Sequence, residues 1–243
     1  MQRVRYKKGE STPIFLTGCG RSGTNYLVGG LSKSSQIRLY NESDSSAFDD
    51  WRLRDFDIIK NLISGSYAPV LLFKPINDTY RMVELLRNFE NSKIIFQFRH
   101  FDDVVNSIVR GPFGERKSLV GYWIESGFRE FRLYPPSEEA QDLVRSLYSD
   151  SLNNESGSAL YWWLQNRFLI EQNLRRNSRV MLVQYEHMVN DPEKQFLKLC
   201  DFIGVECSEN MFGGVSSSIR KNPAPDIRPE IRVQCEKLWT ELA

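Results

Sequence analysis

Five short apolar runs alternate with amphipathic stretches along the chain: Ile14–Thr17, Ile37–Tyr40, Val70–Phe73, Lys93–Phe98 and Val180–Gln184. Each is rich in β-branched or aromatic residues and shows little polar alternation, the pattern of strands buried on both faces. The stretches between them predict helices over Asn25–Ser32, Trp51–Leu62, Tyr80–Phe89, Asp102–Arg110, Ala159–Arg176 and Asp191–Ile203. The last opens on Asp191-Pro192-Glu193, which supplies an N-cap, a proline in the first turn and an acid near the positive helix end. Strands alternating with helices predict an α/β fold of three layers, α/β/α, with a central, mostly parallel sheet and right-handed crossovers.

Two stretches interrupt this rhythm. Residues 111–158 hold many aromatic and charged residues and predict two helices, near Leu119–Phe131 and Glu138–Leu147, joined through Pro135-Pro136. Residues 208–229 are rich in Ser, Gly, Asn and Pro and read as a loop, before a closing helix at Glu230–Leu242. The expected organisation is one domain over residues 1–243, with a helical insertion at about 111–158 and a C-terminal loop and helix at about 208–243.

In open parallel sheets, ligands gather beyond the carboxyl ends of the strands. The pattern places Gly18–Asn25, Lys74, Arg99 and Tyr185 on that rim. The strand around Pro13–Thr17 runs into Gly18-Cys19-Gly20-Arg21-Ser22-Gly23-Thr24-Asn25 and then into the helical Tyr26-Leu27-Val28. A strand, a glycine-rich turn and a helix start together make a cradle of N–H groups for phosphate. Gly18 and Gly23 have Walker A spacing, but that motif requires Lys and then Ser or Thr next. Thr24 and Asn25 stand there instead. The loop therefore reads as an anion site with its cation, Arg21, inside it and with no side chain for Mg²⁺. A second motif runs Lys93-Ile94-Ile95-Phe96-Gln97-Phe98-Arg99, then His100-Phe101-Asp102-Asp103-Val104-Val105-Asn106-Ser107. Here a strand ends on Arg99, and a helix expected to be capped by Asp102 carries Ser107. Arg99 can grip a phosphate through parallel N–H donors and Ser107 can add a hydroxyl. Arg99 can equally pair with Asp102 or Asp103.

The totals narrow the partners. A 243-residue chain with 41% hydrophobic and 26% charged residues is ordinary for a globular protein. Net charge is +1, so nothing global argues for nucleic acid, and an anion site must arise from local placement of Arg and Lys. No run approaches the length of a membrane span, and the basic segment from Met1 to Glu10 has no apolar core. A cytoplasmic location is the resulting expectation. Cys19, Cys200, Cys207 and Cys235 show no metal-ligand spacing and read as thiols in a reducing compartment.

The ordered motifs resemble the sulfotransferases that use 3′-phosphoadenosine 5′-phosphosulfate, and most closely the carbohydrate and bacterial branches. The Arg21-Ser22-Gly23-Thr24 turn is similar to their 5′-phosphosulfate loop, and Arg99 and Ser107 match the Arg and Ser of their 3′-phosphate motif, spacing included. Val183-Gln184-Tyr185-Glu186-His187-Met188, then Asp191-Pro192 and Phe202-Ile203-Gly204, resembles the family's late strand and helix. Tyr185 is similar to a tyrosine that approaches the adenine. Arg220-Lys221 resembles the basic pair over the 3′-phosphate, although Asn222 replaces the glycine that usually follows. The resemblance implies donor binding by Gly20, Arg21, Ser22, Gly23, Thr24, Asn25, Arg99, Ser107, Tyr185, Arg220 and Lys221. It also implies metal-independent transfer to an acceptor hydroxyl.

In that chemistry Arg21 and Lys74 stabilise the departing 5′-phosphate. The cytosolic branch takes its base from a histidine two residues after the strand-end lysine, where this chain has Ile76. His100 and His187 are poorly placed to replace it. The carbohydrate branch uses a glutamate after the second strand, which here corresponds to Glu42, with Asp44, Asp49 and Asp50 as rivals in the same loop. Acceptor walls are expected from Trp51, Phe113, Tyr122, Trp123 and Phe128, although aromatics at helical spacing also build cores. Two other readings of the motifs are a P-loop small-molecule kinase and a non-catalytic phosphoadenosine-binding module.

Overall fold

The strands form where the apolar runs predict them. In chain order the elements are β1 (Thr12–Gly18), α1 (Thr24–Leu31), β2 (Ile37–Tyr40), β3 (Phe48–Asp49), β4 (Arg52–Leu53), α2 (Phe56–Gly65), β5 (Val70–Phe73), a 3₁₀ turn (Ile76–Arg81), α3 (Met82–Asn88), β6 (Lys93–Phe98), α4 (Phe101–Val109), α5 (Arg116–Glu125), α6 (Glu138–Leu147), α7 (Asn154–Glu171), β7 (Val180–Gln184), α8 (Tyr185–Asn190), α9 (Pro192–Ile203) and α10 (Pro229–Leu242). The computed structural model describes residues 6–112, 116–131, 133–213 and 222–243. The chain divides into two compact units: Met1–Phe98 with Arg176–Ile219, and Arg99–Arg175 with Arg220–Ala243.

The first unit holds a five-stranded sheet in the order β2-β5-β1-β6-β7, with every pairing parallel. Its register sets Gly18 opposite Gln97 and Phe98 opposite Gln184. Ile14, Leu16, Leu72 and Ile95 share a core with Leu27 and Leu31 of α1 and with Phe196, Leu199 and Ile203 of α9. On the alternate positions Phe15 stacks on Phe73 at 5.5 Å and meets Phe89, just after α3, at 5.4 Å. Phe89 in turn meets Phe56 of α2 edge-on at 5.3 Å. Helices thus cover both faces, giving the α/β/α layering, and each fully buried Leu, Ile or Phe contributes about 1.5–3 kcal/mol.

The second unit is helical, with α7 packed against α4, α5 and α10. Trp162 of α7 lies 5.6 Å from Phe101, and its indole N–H donates to the Arg99 carbonyl at 2.9 Å. Trp123 stacks on Tyr161 at 5.8 Å, and Phe131 packs on Phe168 at 5.2 Å. Asn153 caps α7 by accepting from the Ser156 N–H at 2.9 Å. This cap explains why the helix begins before Ala159, where the apolar pattern alone would start it. Among the described residues no helix is long and apolar enough to cross a membrane, and none of the four cysteines is in a disulfide.

The helix expected at Trp51–Leu62 begins only at Phe56. Residues 48–53 form the β3–β4 hairpin instead, with Asp50 (φ 44°) and Trp51 (φ 62°) both in left-handed turn conformations. Such conformations are costly for non-glycine residues and persist only where surrounding structure enforces them. The enforcing group is Asp78 in the 3₁₀ turn, a carboxylate 1% exposed. It accepts from the Leu53 N–H at 2.7 Å and pairs with Arg52 at 3.2 Å. The Asn77 carbonyl also accepts from Arg52, at 2.9 Å. The same turn shortens the helix expected at Tyr80–Phe89, since Ile76–Arg81 is 3₁₀ and α3 starts at Met82.

Burial pushes the Asp78 carboxyl above the usual carboxylate range, against the opposing pull of the Leu53 N–H, Arg81 and Arg52. A raised folded-state pKa means that Asp78 favours the folded state more when protonated, and that this contribution is lost as pH rises through the folded value. Stability of the wild-type protein relative to Asp78→Asn should therefore increase as pH falls from about 7 to about 4. Denaturant titrations of both proteins across that range test this. A relative decrease would contradict the burial argument.

Candidate active site

The loop after β1 depends on two close approaches. Gly18 has φ 130°, and a Cβ there would lie 2.1 Å from the Gln97 carbonyl oxygen. Only glycine lets β1 and β6 meet at this point. The Thr79 hydroxyl accepts from the Gly18 N–H at 3.0 Å and holds the strand end from the other side. Gly23 has φ 90°, and a Cβ there would lie 2.2 Å from Cδ2 of Tyr185 and 3.2 Å from Nε2 of Gln97. Between the two glycines Arg21 takes φ 71°, Gly20 is half-buried, and the Ser22 N–H reaches the Cys19 carbonyl at 3.3 Å.

Gly23 is the N-cap of α1, with no side-chain cap and no acidic residue in the first turn. Its carbonyl takes the N–H groups of Tyr26 at 2.9 Å and Leu27 at 3.4 Å. The N–H groups of the first turn precede the intrahelical ladder and carry the positive end of the helix dipole. The Ser22 hydroxyl is wholly buried and makes no hydrogen bond among the described residues. An uncapped, acid-free helix start beside an unsatisfied hydroxyl fits a phosphate or sulfate group.

Lys74, at the end of β5, is 3% exposed. Its backbone N–H donates to the Tyr40 carbonyl at 3.2 Å, tying it to the end of β2. Its ammonium donates to Oδ1 of Asn25 at 2.6 Å and pairs with Oε2 of Glu42 at 2.8 Å. Glu42 is 22% exposed. The structure thus brings together three predicted site residues that lie far apart in the chain: Asn25 from α1, Glu42 after β2 and Lys74 after β5. Of the acids considered for the base, Glu42 is the one paired with Lys74. Asp44 is occupied in a local turn with the N–H and hydroxyl of Ser46. Asp49 and Asp50 sit on the hairpin.

Tyr185 opens α8, a short helix absent from the sequence pattern, and its ring packs on Gly23 and edge-on to Tyr26 at 6.3 Å. Burial, with a smaller push from Tyr185, raises the Tyr26 phenol above its usual pKa. Gln97, buried beside Gly23, passes unnoticed in the sequence because it reads only as an interior strand position.

In the helical unit, Arg99 precedes α4 and pairs with Asp103 at 3.4 Å, as the plainer reading of its position expects. The helix cap is His100, whose Nδ1 accepts from the Asp102 N–H at 3.3 Å. Asp102, expected to be the cap, instead lies in the first turn and pairs with Arg232 at 3.0 Å. Ser107 is half-buried on α4. Next to it, Asn106 donates to the Pro223 carbonyl at 3.1 Å. Arg220, Lys221 and Phe113 lie outside the described residues. Of the other expected acceptor-wall aromatics, Trp123 (2% exposed) and Phe128 (1%) belong to the core, while Trp51 (55%) and Tyr122 (56%) face solvent.

Residues 11–222 match the family model described as "Sulfotransferase domain". Solved structures share the fold. The sulfotransferase domain from the curacin biosynthetic pathway is 17% identical, with a TM-score of 0.56, covering 96% of this chain and 99% of that one. The sulfotransferase domain of the Synechococcus PCC 7002 olefin synthase is 15% identical, with a TM-score of 0.54 and 96% of each chain covered. A mouse sulfotransferase, SULT7A1, solved in complex with PAP, is 17% identical, with a TM-score of 0.50, covering 99% of this chain and 87% of that one. Among curated proteins none matches the chain. The chain belongs to the sulfotransferase family.

The Gly23 contacts generate a direct test. Gly23→Ala should cost about 1–3 kcal/mol from its backbone conformation alone, with the Tyr185 clash added. Against a Tyr185→Ala background, which removes the ring, Gly23→Ala should cost only the backbone term. Denaturant unfolding of both single variants and the double variant measures the two costs. A Gly23→Ala protein as stable as wild type would contradict the loop geometry.

Proposed function

We propose that the chain transfers the sulfuryl group of 3′-phosphoadenosine 5′-phosphosulfate to an acceptor hydroxyl on a carbohydrate or small metabolite, by in-line transfer that needs no metal. The observation that carries this reading is the Lys74 ammonium held between Asn25 and Glu42. It joins the anion cradle at the start of α1 to a carboxylate able to take a proton. Family membership and the likeness to the PAP-bound mouse enzyme support the choice of donor.

When bound, the donor supplies an activated sulfuryl group whose transfer resembles phosphoryl transfer, where positioning and electrostatics dominate. The loop N–H groups of Ser22, Gly23 and Thr24 bind the 5′ end, with Gly20 allowing close backbone approach and Asn25 orienting Lys74. Arg21 and Lys74 offset the negative charge that grows on the leaving phosphate. Tyr185 lies on the adenosine side. Arg99 and Ser107 take the 3′-phosphate, with Arg220 and Lys221 as further cations. For Arg99 this means exchanging Asp103 for a phosphate, a change favoured by bidentate geometry. Glu42 accepts the acceptor's proton, and its contact with Lys74 places the base beside the cation that serves the leaving group. The chain acts as one sulfotransferase domain in this reading, and we place it in the cytoplasm on the sequence grounds already given.

The test is transfer of labelled sulfuryl groups from the donor to a panel of carbohydrate and small hydroxyl acceptors, with a chelator present. Labelled product is expected. Turnover of ATP with Mg²⁺ and no sulfuryl transfer would reject the proposal in favour of a kinase. Two variants assign roles. Arg99→Ala should weaken donor binding by about 2–3 kcal/mol, the scale of a lost charge-assisted contact, and unchanged affinity would remove Arg99 from the site. Glu42→Gln should bind donor normally and turn over about 10²-fold or more slowly, and near-wild-type turnover would move the base elsewhere.

A further inference from the structure

Gln97 is a residue to which neither the family motifs nor the reaction assigns a role. It sits on β6 next to the strand end, opposite Gly18 in the sheet register. Its side chain is wholly buried, yet both Nε2 and Oε1 lack a hydrogen-bond partner among the described residues. A buried carboxamide with neither end satisfied costs the desolvation of both groups with no hydrogen bond to offset it. An apolar residue would serve a purely structural role better, and the neighbouring β6 positions Ile95, Phe96 and Phe98 are apolar.

The location of the group indicates its use. Nε2 lies 3.2 Å from the position a Cβ of Gly23 would occupy, with the Tyr185 ring against the same glycine. Ser22, the residue before Gly23, carries a buried hydroxyl that also lacks a partner among the described residues, and its N–H is engaged at 3.3 Å with the Cys19 carbonyl rather than turned to a ligand. When successive N–H groups of such a loop turn toward an anion, their carbonyls turn outward. A carboxamide beside the loop then finds acceptors for its N–H₂ and, in a hydroxyl such as that of Ser22, a donor for its oxygen.

We propose that Gln97 is a positioning residue of the donor loop: its carboxamide completes its hydrogen bonds with the loop in the donor-bound protein and so favours the anion-binding arrangement of Ser22–Thr24. This inference rests on the donor assignment made above. It acts on binding of the 5′ end and not on the proton transfer at Glu42.

The experiment measures calorimetric binding of adenosine 3′,5′-bisphosphate together with melting of the ligand-free protein. Gln97→Leu should bind the bisphosphate at least about 10-fold more weakly while its ligand-free melting temperature stays level or rises, because replacing an unsatisfied polar group by an apolar one is neutral or stabilising. Unchanged affinity, or a loss of affinity that only tracks a lowered ligand-free melting temperature, would overturn the proposal. Should the leucine variant not fold, Gln97→Glu decides. Its protonated form can still donate a hydrogen bond, whereas its charged form faces the bound anion. Its affinity relative to wild type should therefore recover as pH falls from about 7.5 to about 5, and a constant ratio would overturn the proposal. Absence of binding by the wild-type protein itself would reject the donor assignment. Wild-type binding with an unaffected Gln97→Leu would reject only the role of Gln97.

Discussion

The site depends on the start of α1 being left bare. Most helices satisfy their first N–H groups with a side-chain cap or set an acid in the first turn. This one does neither, and the space where the cap glycine's side chain would stand is filled by the Tyr185 ring and the Gln97 carboxamide. The bare start is positioned by the sheet: β1 lies between β5 and β6, and Gly18 allows the approach of β6 that aims the loop. A side chain at Gly18 would meet backbone, which cannot move aside as the tip of a flexible side chain can.

From that constraint the proposed chemistry follows by placement. The register of β2, β5 and β1 ends the three strands near one another, so that Lys74 reaches both the first turn of α1, at Asn25, and the loop after β2, at Glu42. A nearly buried ammonium needs partners, and here they are one neutral oxygen and one carboxylate. This explains the residue at the Walker hydroxyl position. Asn25 directs its side-chain carbonyl at a lysine from another strand, where a nucleotide triphosphatase would direct a hydroxyl at Mg²⁺. In the reading proposed above, one cation serves both the departing phosphate and the orientation of the base.

The sheet and the loop were legible because their signals are local. Strands buried on both faces show as unbroken apolar runs, and β2, β5, β6 and β7 have the predicted limits. The glycine spacing marks the loop because close approaches there exclude side chains. The β3–β4 hairpin was not legible, since its turn uses Asp50 and Trp51 in conformations their residue types disfavour and is enforced by Asp78, distant in sequence. His100 as the cap of α4 was hidden for a related reason: Asp102 has the better capping side chain but is drawn to Arg232. The pairing of Lys74 with Glu42 and Asn25 needed the folded sheet, although each residue could be named singly. Gln97 was invisible because a single polar residue in an apolar strand carries no periodic signal, and only its burial without partners marks it.

The central claim is that the bare N-terminus of α1, with Lys74 beside it, is where the activated end of the donor binds. The most direct measurement is a crystal structure of the protein with adenosine 3′,5′-bisphosphate. The account predicts the 5′-phosphate within hydrogen-bond distance of the backbone N–H groups of Ser22–Thr24 and of the Lys74 ammonium. A nucleotide bound with its 5′-phosphate away from this loop would contradict it.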